Sequence, residues 1–136
     1  MPKVNYKDEN FDIDLDFGEE FENKIVNIFE GDGSIEVKTE DVKHPTKNWK
    51  VTGNIAIEYR NSGRKSGISI TDAKWWIHIL SDGENIEMAF IFPVETLKRK
   101  IRTFINDGTA VRTKGGFENR SSLILLPISE LHKNHL

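Results

Sequence analysis

The chain contains no cysteine. Disulfides, thiolate metal sites and thiol nucleophiles are therefore excluded, and its chemistry must rest on oxygen and nitrogen groups. Long apolar runs are missing too. The longest, such as Leu123 to Pro127, fall far short of the roughly 20 residues that a bilayer-spanning helix needs. No apolar stretch after Met1-Pro2-Lys3 resembles a secretion signal. The expectation is a cytoplasmic protein with no membrane partner. Repeats, low-complexity segments and long linkers are also lacking, so residues 1–136 are expected to form a single domain with 1–10 frayed.

The net charge of −3 argues against a nucleic-acid partner until its distribution is considered. Residues 1–32 hold ten acids against Lys3, Lys7 and Lys24, a net −7, which leaves +4 on the rest. Between 43 and 65 there are six bases (Lys43, Lys47, Lys50, Arg60, Arg64, Lys65) and Glu58 as the one acid. An acidic end beside a basic middle suits a protein that gathers cations at one place and phosphates next to it. A solvated surface with chance asymmetry explains the same fact equally well.

Phe11, Ile13, Leu15 and Phe17 alternate with Asp12, Asp14 and Asp16, a period of two that predicts a short extended segment. After Gly18 a helical pattern runs to about Glu30, with Phe21, Ile25, Ile28 and Phe29 on one face, and Gly31 and Gly33 end it. Residues 34–39 and 55–60 alternate as strands around a polar excursion over 43–53. Thr71 is a candidate cap for a short helix leading into Trp75 and Trp76. Ile77 to Leu80 and Ile86 to Phe92 read as a hairpin about the Ser81-Asp82-Gly83 turn. Val94 to Ile105 is an amphipathic helix behind Pro93, followed by a strand at Leu123 to Leu126 and a helical turn over 128–131. This order predicts an α/β or α+β fold with a central mixed sheet flanked by helices.

The densest chemistry lies in Ile35-Glu36-Val37-Lys38. On a strand, Ile35 and Val37 point one way and Glu36 and Lys38 the other. Such a carboxylate holds a hard cation, and the lysine orients a water or balances charge on a phosphate. A lone Glu-x-Lys more often marks a solvated face, so its surroundings decide. Glu22 falls at the edge of the first helix's apolar face, where a carboxylate is costly without a metal or a partner such as Lys38. Asp32 shares parity with Glu36 unless Gly33 breaks it, and Glu58 lies beside Ala56 and Arg60 on the next strand. Four carboxylates are thus expected around one lysine.

An acidic residue on a first helix, Glu-x-Lys on a strand, then a further strand and helix resemble the PD-(D/E)xK nuclease superfamily. The stretches 36–40, 52–59 (Thr-Gly-Asn-Ile-Ala-Ile-Glu-Tyr), 66–68 and 73–76 are similar to its phage-borne members, with a weaker echo at 126–131. The resemblance implies a restriction-endonuclease-like core and Mg²⁺- or Mn²⁺-dependent hydrolysis of DNA, duplex or branched. It also implies structure-selective cutting of the junction-resolving kind, a homodimer, and the host cytoplasm. Glu22, Asp32, Glu36 and Lys38 would be catalytic, with Glu22, Asp32, Glu36 and Glu58 as metal ligands. Candidate DNA contacts are Lys50, Arg60, Arg64, Lys65 and Ser66, with Lys114 and Arg120 from a later loop. One departure is that the family's leading aspartate usually lies further ahead of the strand than Asp32 does.

Other signals are weaker. Asp12-x-Asp14-x-Asp16 is no EF-hand loop, since Phe17 stands where glycine is needed. The four histidines lack metal-ligand spacing, and Gly63 to Gly67 lacks that of a nucleotide-binding loop. Of Trp75 and Trp76, candidates for base stacking, at least one is expected in the core. Two other readings stand beside the nuclease. One is a non-catalytic nucleic-acid-binding or assembly protein on the same fold. The other is an acidic interaction protein, in which Glu22, Glu36 and Lys38 would lie apart.

Overall fold

The computed structural model describes residues 11–32 and 34–133, with the backbone alone for 11–18 and 32. The chain divides into two compact units, residues 1–34 and 35–136. In the first, helix α1 (Phe11–Asn27) runs into a wider turn over Ile28–Asp32. The extended segment expected over 11–17 is therefore helical. Seven alternating residues also place Phe11 and Leu15 four apart, and Asp12, Asp14 and Asp16 favour a helix start through its dipole. Gly31, at φ 106°, stops the helix in a conformation that side chains disfavour, as its position suggested. The fraying expected over 1–10 lies outside the described residues.

The second unit holds two sheets. Strands β1 (Ile35–Glu40), β4 (Trp75–Ser81) and β5 (Ile86–Pro93) form a mixed sheet in the order β1-β4-β5, with β1 parallel to β4. Strands β2 (Asn54–Asn61), β3 (Arg64–Lys65), β6 (Val111–Gly115) and β7 (Ser121–Pro127) form an antiparallel sheet in the order β3-β2-β7-β6. The fold is thus α+β, with its strands shared between two sheets rather than one. β6 was not anticipated, because Arg112, Thr113 and Lys114 give it no apolar alternation.

Helix α3 (Val94–Asp107) closes the core. Leu97, Ile101 and Phe104, spaced four and three apart, are buried against Ile55 and Ile57 of β2, Ile124 and Leu126 of β7, and Trp76 and Leu80 of β4. Burying a side chain such as Leu97 contributes about 1.5–3 kcal/mol. Gly108 ends the helix at φ 81°, its N–H bonded to the Ile105 carbonyl. The excursion over 43–53 contains one helical turn, α2 (Trp49–Thr52), capped by the Asn48 side chain, which accepts from the Lys50 and Val51 amides at 3.0 and 2.9 Å. Thr71 caps no helix. A 3₁₀ turn lies earlier, at Gly67–Ser69, and the Thr71 hydroxyl instead accepts from the Ala73 amide. The hairpin turn forms as expected, with Asp82 accepting from the Glu84 and Asn85 amides at 2.8 and 2.7 Å.

Candidate active site

β1 turns its sides in an unusual sense. The register sets Glu36 beside Trp76, Lys38 beside His78 and Glu40 beside Leu80, so the charged side chains share the face of β4 that enters the core. Glu36, Lys38 and Glu40 are half-buried, whereas the apolar Val37 is 53% exposed. A strand decorated for solubility would do the reverse. The Lys38 ammonium lies 3.0 Å from Glu36 Oε1.

Glu58 completes this group from β2. Partial burial pushes its carboxyl up, but hydrogen bonds from Ser121 and Asn61, the nearby Ser66 hydroxyl and the charge of Lys38 together outweigh that and hold it below the ordinary glutamate value. Ser121 Oγ donates to Glu58 Oε1 at 2.5 Å, and Asn61 Nδ2 reaches the same oxygen at 3.4 Å. The Ser66 hydroxyl is buried and has no hydrogen-bond partner of ordinary geometry among the described residues. Glu58 therefore favours its ionised form and lies within electrostatic reach of Lys38, which also contacts Glu36 on its own strand.

A second network joins those sheets. Glu40 Oε2 accepts from the Ala56 amide of β2 at 2.9 Å and lies 2.5 Å from His78 Nε2. The indole of Trp76 donates to His78 Nδ1 at 3.1 Å. An indole only donates, so Nδ1 is the acceptor and His78 presents its Nε2–H to Glu40. With His78 1% exposed and Glu40 partly exposed, every polar group of this chain of bonds has a partner. Sequence reasoning missed it, although Glu36, Lys38 and Glu40 share one strand parity, and His78 sits two residues from Trp76 in an apolar strand.

Glu22 is exposed on α1, and Asp32 ends the turn before β1 rather than lying on the strand; both belong to the first unit. Ser66 faces Glu58 rather than solvent. Lys50 is exposed on α2, while Arg64 and Lys65 are exposed on β3. Arg60 donates to the Gly63 carbonyl at 3.3 Å, Lys114 to Ser122 Oγ at 2.5 Å, and Arg120 pairs with Glu118 at 2.6 Å. Trp76 is core, as one of the two tryptophans was expected to be, and Trp75 is half-buried.

Searches of known protein families, curated proteins and solved structures find no match. Geometry therefore carries the functional argument. Among the described residues, no three His, Asp or Glu side chains form a metal-binding group. Mg²⁺, however, is commonly held by one or two carboxylates and several waters. Glu36 and Glu58 supply hard oxygen donors of that kind, and the charge on Glu58 is already stabilised. No helix among the described residues is long and apolar enough to cross a membrane.

Proposed function

We propose that this chain is a divalent-metal-dependent DNA endonuclease, with Glu36 and Glu58 as metal ligands and Lys38 at the scissile phosphate. The observation that carries this reading is the inward-facing charged side of β1, where Lys38 contacts Glu36 at 3.0 Å and lies within electrostatic reach of Glu58 from the neighbouring sheet. Its motifs' resemblance to PD-(D/E)xK nucleases points the same way. A bound Mg²⁺ or Mn²⁺ would polarise the phosphate and activate a water. Lys38 would donate a hydrogen bond that orients the attacking water or steadies a phosphate oxygen, offsetting the negative charge that develops on the phosphoryl oxygens. Ser121 and Asn61 keep the Glu58 carboxylate ionised and oriented. On this reading the enzyme acts in the cytoplasm. It cuts branched or duplex DNA as a homodimer, since cutting two strands takes two sites.

The test is cleavage of labelled linear, single-stranded, flapped and four-way-junction DNA with Mg²⁺ or Mn²⁺, comparing wild type with Lys38→Ala. Metal-dependent cutting that the variant loses supports the reading. Tight binding without cutting of any substrate overturns it in favour of a non-catalytic nucleic-acid-binding protein.

A further inference from the structure

On the other face of the β2–β7 sheet lies a cleft of about 330 Å³ between α3, the β2–β3 hairpin and β6. Lys65, Lys98, Arg102 and Arg112 line it, and no acid does. Among the described residues, none of these four cations forms an ion pair. Lys98 and Arg102 stand four apart on α3, where like charges repel. Arg112 is in register with the buried Ile124, so its stem rises from the core-facing side of its strand. Clustered positive charge over low-dielectric walls concentrates anions.

The floor explains what kind of anion. Ile68, Ile101 and Ile124 are buried there, and Tyr59 adds an aromatic ring. The flat face of a base has a surface to rest on, and four cations match more than one phosphate. The volume sits at the lower end of the about 300–1,000 Å³ usual for small-ligand sites, which suits one or two nucleotides. Glu58 is in register with Leu123, whereas the cleft uses Ile124, the next residue of β7 and hence on the opposite face. The cleft is therefore separate from the Glu36–Lys38–Glu58 group.

We propose that this cleft binds a nucleotide carrying two or more closely spaced phosphates, either free or as consecutive units of a single strand. The inference stands apart from the cleavage reading, and its test is run in EDTA so that cutting plays no part. Equilibrium binding of ADP, adenosine and a short labelled oligothymidylate is measured for wild type, Lys98→Gln/Arg102→Gln, Arg112→Gln, and Lys47→Gln as a control outside the cleft. Melting curves confirm that each variant folds. ADP or the oligonucleotide binds wild type, adenosine does not, and the double variant binds at least about tenfold more weakly. The slope of log affinity against log salt falls by about one for each cation removed. Tighter binding of ADP identifies a free nucleotide as the ligand, and tighter binding of the oligonucleotide identifies a strand. Failure of wild type to bind either phosphate-bearing probe, or wild-type affinity in both cleft variants, overturns the proposal.

Discussion

Glu58 depends in part on Lys38. The ammonium is one of the groups that keep the Glu58 carboxyl below its ordinary value, together with the hydroxyls of Ser121 and Ser66 and the Asn61 amide. Replacing Lys38 by alanine removes the positive group proposed to act at the phosphate, and single-turnover cleavage should slow about 100-fold or more. Ser121→Ala removes the 2.5 Å bond to Glu58 and should move its carboxyl upward, as a carbon-detected NMR titration would record. The sign for stability follows from the lowered folded value. The ionised Glu58 contributes stability above the unfolded glutamate value of about 4.3, and this is lost as pH falls through the lower folded value. Melting curves of wild type should therefore weaken across that acid window, and Ser121→Ala should weaken less over the same range. An unchanged acid profile in the variant would remove Ser121 from the account.

Between elements, the decisive contacts bring β1 against β2, which belong to different sheets. Glu40 spans them through the Ala56 amide and His78. Glu40→Ala leaves two donors unpaired, at about 1–3 kcal/mol for each donor that water cannot reach. Chemical denaturation should show that loss, and Glu40→Gln, which keeps an acceptor oxygen, should recover part of it. Gly67 makes the other close approach. Its φ is +51°, and a Cβ there would stand 2.1 Å from the Glu58 carbonyl oxygen. Gly67→Ala should cost at least about 2–3 kcal/mol and shift the strand that carries Glu58, lowering cleavage even where the variant still folds. Stability within about half a kcal/mol of wild type would show that the backbone there moves freely. The hairpin, α3 and β7 were legible in the sequence because each has a single clear period and turn chemistry. The first turns of α1 were not, since a seven-residue alternation fits a helix whose opening residues are acidic.

For the molecule as a whole, charge separates along the chain, with −7 on residues 1–32 and +4 beyond them. DNA binding should thus fall steeply with salt despite the net negative charge, with a log–log slope set by the number of phosphates contacted. An affinity insensitive to salt would count against a phosphate-binding surface. Chelation of divalent ions should abolish cleavage while leaving DNA affinity within a few-fold, because the basic groups bind without metal.

Local pattern determined much of this protein. The two-residue period of β1 put Glu36 and Lys38 on one side, the apolar spacing of 94–105 defined α3, and the motif order suggested a phosphodiesterase. Tertiary structure decided which side of β1 faces inward, and period alone cannot say that, because it is the same for either face. It also brought Glu58 within electrostatic reach of Lys38 across two sheets, linked Glu40 to His78 and Trp76, and gathered cations from α3, β3 and β6 around one cleft. Those pairings join residues tens of positions apart, and they arise from packing the apolar faces together, which no local period encodes.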